Sequence, residues 1–188
     1  DGEKSFGRAH YEQHMSGQGT IDVADKSWSI KGHGLRDKSW GPRYWQAIKW
    51  YRWLPMSFGD DFGMMISLVC IGDEVKSSGM VLEDGVYSSI ESAEIDTQWD
   101  PNYYQQAFQA NCKTDNGKSF SVEGRVMSLI PLRNRRKMPD GDWMHTRITE
   151  GMTEYRCNNR IGYGLSEYLD QIIDEVPVGV DRSSEESE

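Results

Sequence analysis

"MVLEDGVYSSI" runs from Met80 to Ile90. Two extended runs meet at Asp84-Gly85. That residue pair suits a two-residue hairpin turn, whose central residues sit at positive φ. Working outward, the same pattern repeats. Asn116-Gly117 stands in "KTDNGKS", between runs at 103–112 and 118–130. "VADKS" predicts a tight turn at Ala24 to Lys26, between 19–24 and 27–34, and "MSGQG" a turn between 9–16 and 19–24. Further runs lie at 44–53, 62–71, 79–84, 86–95, 144–157 and 162–170. In "SFSVEGRVMSLI" Phe120, Val122, Gly124, Val126, Ser128 and Ile130 share one face, while Ser121, Glu123, Arg125, Met127 and Leu129 take the other. That period of two is a strand signature. The spacing predicts an all-β chain: an antiparallel β-barrel or strongly bent sandwich of about nine to eleven strands. At most one substantial helix is expected, at Ser166 to Glu175, where Leu169, Ile172 and Ile173 have helical spacing and Ser166 can cap. The competing reading is a last strand that ends there.

"YWQAIKWYRW", Tyr44 to Trp53, is apolar on both faces. Trp45, Ala47, Tyr51 and Trp53 fall on one side, and Tyr44, Ile48 and Trp50 on the other. A strand of this kind has core on one side and something else apolar on the other: a second sheet, a partner or a ligand cavity.

The bulk numbers narrow the function. The chain has 188 residues, enough for one domain with its own core, and a net charge of −9. That balance argues against nucleic acid, whose phosphates need a basic surface. "RNRRK", Arg133 to Lys137, reads as a solvated loop. No run reaches the length of a membrane span, and "DGEKSFGRAH" has no signal-peptide core, so a cytoplasmic location is expected. Residues 1–180 read as one domain and 181–188, "DRSSEESE" at its end, as an acidic disordered tail. Cys70, Cys112 and Cys157 are an odd number without a CxxC, which suits buried free thiols.

The chemistry concentrates in "GHGLRDKSWGPRYW", Gly32 to Trp45. Asp37 follows Arg36 and lies close to Trp40 and Trp45. Burial among the rings would raise its pKa and make it a proton donor; the arginine would lower it and make a structural ion pair. Trp40 is expected to be buried, with Arg36 or Arg43 bonded to a carboxylate from among Asp37, Glu150, Glu154 and Glu167. Glu150 and Glu154 share a face with Ile148 and Met152, either lining a polar spot in a cavity or forming a solvent-facing edge. His10, His14 and His33 are a formal metal set, but their spacing is not diagnostic and no metal is expected. No GxSxG, GxGxxG or GxxxxGK[ST] is present, and no cofactor is expected.

"RDKSWGPR" followed by Tyr44-Trp45 resembles the Asp-His-Asn-Trp-Gly hallmark of the AttH-like and carotenoid 1,2-hydratase superfamily, and more closely a group of bacterial proteins allied to it. "TEGMTEYR" and "GYGLSEYLDQI" fit that group too. The resemblance implies a lipocalin-like barrel, one module, plausibly the C-terminal one, of a two-module family, and chemistry without metal or organic cofactor. It implies Asp37 as the proton donor. The family's Tyr two residues earlier is Leu35 here, and its His after the Asp is Lys38. The expected function is a cofactor-independent enzyme, of hydratase, isomerase or cyclase type, acting by proton transfer on a terpenoid, steroid or polyketide-like substrate. Asp37, Arg36 and Trp40 are its candidate catalytic residues. Arg43, Trp45, Trp50, Trp53, Glu150, Glu154 and Glu167 are its candidate ligand contacts. The alternatives are a non-catalytic binding module for an apolar small molecule and a support module of a longer protein. Expected partners are that molecule and a homo-oligomer or partner module, with no nucleic acid and no membrane span.

Overall fold

A computed structural model describes residues 9–180 of the chain. Eleven strands run through them: β1 (Ala9–Val23), β2 (Lys26–Trp40), β3 (Trp50–Ser57), β4 (Phe62–Ile71), β5 (Glu74–Glu83), β6 (Val86–Trp99), β7 (Gln105–Thr114), β8 (Ser119–Lys137), β9 (Trp143–Cys157), β10 (Arg160–Ile173) and β11 (Val176–Pro177). β3 to β10 pair in chain order, all antiparallel, and β10 pairs with both β9 and β3. The sheet therefore closes into an eight-stranded barrel, which removes its open edges. The Asp84-Gly85 turn forms as read, with φ of 49° and 81°. The loop at Asn116-Gly117 likewise joins β7 to β8. Another turn with both central residues at positive φ, Asn158-Asn159, joins β9 to β10 with φ of 50° and 62°. The last eight residues, expected to be a disordered tail, lie outside the described part.

Side chains fill the barrel. Leu54, Met64, Ile66, Val122, Tyr155 and Tyr168 are essentially inaccessible. Phe108 packs edge-on to Tyr155 at 5.8 Å and near Tyr168 at 6.3 Å, and Phe62 meets Phe120 at 6.0 Å. Close packing leaves no room for a Cβ at Gly124, which would lie 2.2 Å from the Phe108 ring. The three cysteines are free and buried.

One charged pair lies in this interior. Arg52 Nη1 and Nη2 donate to Asp170 Oδ2 and Oδ1 at 3.0 and 3.1 Å, a bidentate geometry. The guanidinium lies 4.3 Å from the Tyr168 ring centre, between Trp50 and Trp99, and also donates to the carbonyl oxygens of Leu169 and Gly179. This cluster ties β3, β10 and the segment after β11 together.

Four expectations change. "RNRRK" is no loop but the exposed end of β8, paired with β9 from Arg133 opposite Arg147 to Lys137 opposite Trp143. Ser166 to Glu175 forms no helix; most of it is β10, whose inward Ser166, Tyr168 and Asp170 and outward Leu169 and Gln171 are all buried. A strand buried on both faces loses its period-two signal and mimics a helix. "MSGQG" is no turn but the middle of β1. The run at 44–53 is a 3-10 turn at Trp45–Ala47 followed by β3, which extends to Ser57. Gln171 holds that turn against the barrel: its Nε2 donates to the carbonyls of Trp45 and Ile48, both at 2.9 Å. Ile48, Ile148 and Leu169 thus form a small second core outside the barrel, with Trp45, Tyr51 and Val69 against it. Trp45, Ile48 and Tyr51, split between two faces by strict alternation, all belong to this second core, because the 3-10 turn resets the alternation before β3; Trp50 lies against Arg52 and Trp53 faces the cavity.

β1 and β2 stand apart as a two-stranded ribbon of 15 residues per strand, register Ala9 with Trp40 to Val23 with Lys26. Directly opposed residues share a face. One face carries His10, Glu12, His14, Leu35, Asp37 and Ser39, and it is this face that meets the barrel. Trp53 Nε1 donates to Glu12 Oε1 at 2.6 Å, and His33 Nε2 lies 2.6 Å from Asp60 Oδ1. His14 lies directly over Gly63, where a Cβ would come within 2.6 Å of its ring.

Candidate functional site

A cavity of about 850 Å³ lies between the base of the ribbon and the outside of the barrel. Its floor is the outward face of β3, β4 and β10: Tyr51, Trp53, Met65, Ser67, Val69 and Glu167. Its roof is the ribbon's inward face, with His10, Glu12, Asp37 and Ser39. The 43–48 segment, with Arg43, Trp45 and Ile48, closes one end. The lining is chiefly apolar, with its titratable groups in two places. That composition suits a small-molecule pocket.

The first polar place is on the roof. His10 Nε2 hydrogen-bonds Asp37 Oδ1, and lies 3.6 Å from Glu12 Oε1. Antiparallel pairing produces this cluster: Glu12 sits opposite Asp37, and His10 opposite Ser39, all on one face. Burial raises the Glu12 pKa, partly offset by the Trp53 hydrogen bond and by His10. His10, Glu12 and Asp37 each offer a ligand atom within 4.8 Å of the others, so these three could hold a metal. The formal set of His10, His14 and His33 does not assemble: His33 meets Asp60, and His14 packs on Gly63 and Tyr87.

The second place is on the floor. Tyr51 Oη donates to Glu167 Oε1. Burial pushes the Glu167 carboxyl up to about 7; the Tyr51 hydrogen bond and Arg43 pull it down, while Glu150 and Asp37 push it further up. The same burial, with Glu167 alongside, raises the Tyr51 phenol. Glu150 stands opposite Glu167 in the β9–β10 ladder, its own pKa raised by burial. Arg43 also donates to Ser39 Oγ on the roof.

Of the ten residues singled out in the sequence, Asp37, Arg43, Trp45, Trp53 and Glu167 line the cavity. The others fall elsewhere. Arg36 and Trp40 are on the ribbon's opposite face, Arg36 5.5 Å from the Tyr11 ring centre and Trp40 beneath Lys38. Trp40, expected to be buried, is 48 % exposed, because the strand alternation that turns Asp37 inward turns its even-numbered neighbours outward. Trp50 points into the barrel against Arg52. Glu154 bonds Arg156 at 3.0 Å and lies 3.5 Å from Arg125. Glu150 adjoins Glu167 through the ladder rather than through the cavity wall. Glu12 is the candidate the sequence reading missed; His10 entered it only in a metal set and Tyr51 only as part of an apolar face. The alternation Ala-His-Tyr-Glu-Gln-His in a strand does mark His10 and Glu12 as one face, but only the register with β2 brings Asp37 to them.

Over residues 1–172 the sequence matches a family model described as a domain of unknown function, DUF7064. The chain belongs to DUF7064. The matched stretch takes in the ribbon, the cavity and the barrel to within one residue of the end of β10. No curated protein matches the chain. Within this DUF7064 chain no helix is long and apolar enough to cross a membrane, among the described residues.

Proposed function

We propose that this protein binds a hydrophobic small molecule between the ribbon and the barrel and transfers a proton to it without a cofactor. The observation that carries this reading is Glu167: a carboxyl raised to about 7 by burial, held by Tyr51 in the floor of an apolar cavity, facing the His10–Asp37 pair on the roof. Two titratable systems in different surroundings are the arrangement that separates acid from base. In this reading Glu167 is the acid. It gives its proton to an alkene carbon, and the rings of Trp45, Tyr51 and Trp53 stabilise the resulting cation. Water then adds at the cationic carbon and its proton passes to His10, oriented by Asp37. Loss of a neighbouring C–H proton to the same base gives an isomer instead. Asp37 thereby keeps a part in the chemistry, as the residue that positions His10 rather than as the donor. The substrate class remains terpenoid, steroid or polyketide-like, and kinship with the AttH-like and carotenoid 1,2-hydratase superfamily is part of the proposal. The volume of the cavity lies within the range of pockets that hold small molecules.

The test is mass spectrometry of apolar molecules extracted from the purified protein, with Ser67→Trp as control. Ser67 points into the cavity from β4, so the bulkier side chain fills it and leaves the barrel interior unchanged. The reading expects a bound apolar molecule that rebinds to the wild type and not to the folded variant. A ligand retained by Ser67→Trp would place binding elsewhere. A ligand that binds at the cavity and never reacts would leave a carrier.

A further inference from the structure

The face of the ribbon turned away from the cavity has an unusual composition. By the β1–β2 register it carries Tyr11, Met15, Ile21, Val23, Trp28, Ile30 and Trp40. These seven are all the large exposed apolar residues of the ribbon, each between 37 % and 58 % accessible. The same face holds Gly17, Gly19, Gly32 and Gly34, with Gly17 directly opposite Gly32 near the middle of the ribbon. No strand geometry demands these glycines, for none has a positive φ. No neighbour among the described residues demands them either, since a Cβ at any of the four would meet nothing within 4 Å of them. Glycine in an extended strand also permits close approach of another backbone, here one beyond the described residues.

We propose that this face is the interface of a homodimer, in which two ribbons cross at their glycine waists. The pattern is self-complementary. Apolar side chains stand at both ends, Tyr11, Met15 and Trp40 toward the barrel and Ile21, Trp28 and Ile30 toward the tip, with a bare waist between them. A two-fold axis through the waist lays the barrel end of one ribbon on the tip of the other, the isologous arrangement of most dimers. The area suffices. The exposed parts of the seven side chains amount to roughly 700 Å² per copy, above the largest apolar patch of an ordinary monomer, and roughly 1,400 Å² for two, within the range of stable interfaces. The face bears Lys26, Arg36 and Lys38 and no carboxylate. Arg36 and Lys38 already lie over Tyr11 and Trp40, with their heads free to reach solvent at the rim. Like charge on both copies makes the dimer tighter in salt, the reverse of docking on an anionic surface. A ribbon of two strands is marginal alone, so pairing also stiffens the roof of the cavity.

Sedimentation velocity tests this with the full chain, up to about 100 µM protein, in roughly 0.05 M and 0.5 M salt. The wild type should be a dimer that tightens in the higher salt. Gly17→Val with Gly32→Val adds methyl groups only to space open among the described residues, so at a concentration where both proteins are monomers its melting temperature should be no lower than the wild type's, while its dimer weakens at least about tenfold. Trp28→Lys should weaken it similarly. A monomeric wild type overturns the proposal, as does a dimer indifferent to both variants. A wild type that stays monomeric but sediments with vesicles of anionic phospholipid assigns the face to a membrane instead.

Discussion

Glu167 offers a measurement that depends on its burial and on nothing else in the mechanism. Its carboxyl lies at about 7 in the folded protein, against an ordinary 4.5. Between those two values the folded state holds the proton more tightly than the unfolded chain does, so stability falls as pH rises. The stabilising contribution is whole below pH 4.5 and is lost as pH rises through 7. Integrating the difference from pH 5 to pH 8 gives a loss of about 2.5 kcal/mol from this one group. Glu167→Gln removes the titration but retains an oxygen for the Tyr51 hydroxyl. Urea unfolding of both proteins, followed by tryptophan fluorescence at four or so pH values, isolates the effect. The gap between wild type and variant should move by about 2.5 kcal/mol over that interval, in favour of the variant at pH 8. Glu12 and Glu150, also raised by burial, titrate in both proteins and largely cancel. A gap that stays constant to within about 0.5 kcal/mol would show that Glu167 ionises as an ordinary surface carboxylate, and the acid assigned to it would go.

Three further outcomes follow from the packing. Arg52→Ala leaves Asp170 buried without its cation and should cost about 3–5 kcal/mol in urea unfolding; a loss under about 1 kcal/mol would contradict the closed ion pair. Gly164→Ala places a Cβ 1.9 Å from the Pro55 carbonyl oxygen, backbone against backbone, and should lower stability by about 3 kcal/mol or more, with near-wild-type stability the opposing result. The Cys112 and Cys157 thiols, raised by burial to about 11, should react with a thiol reagent at pH 8 only at the rate of unfolding; prompt labelling would mean that they are accessible.

The barrel was legible in the sequence wherever local chemistry fixed it. Asp84-Gly85 needs no distant partner to turn the chain, and the alternation from Phe120 to Val126 needs only one buried face. The Gly-rich ribbon was harder. Gly17 and Gly19 read as a turn because glycine usually serves one, whereas here the backbone is extended through the middle of β1. The Arg52–Asp170 pair spans 118 positions and could not be matched in advance. An arginine inside "WYRWLP" nevertheless signals a buried charge in need of a partner. In the site, Asp37 was found through its motif, while His10 and Glu12 depended on a register that no local signal gives. Glu167 was singled out as a carboxylate that could pair with arginine. Its surroundings, which make it unusual, come from the 43–48 segment folded over the barrel by Gln171.

The central claim is proton transfer in this cavity, and heavy water reads it directly. The apolar molecule recovered from the protein is incubated in heavy water with wild type or Glu167→Gln, and carbon-bound deuterium is counted by mass spectrometry. The account predicts incorporation by the wild type and a rate lower by about 10²–10⁴-fold in the variant, with binding little changed. A bound molecule that takes up no deuterium from the wild type, or takes it up equally with the variant, contradicts it.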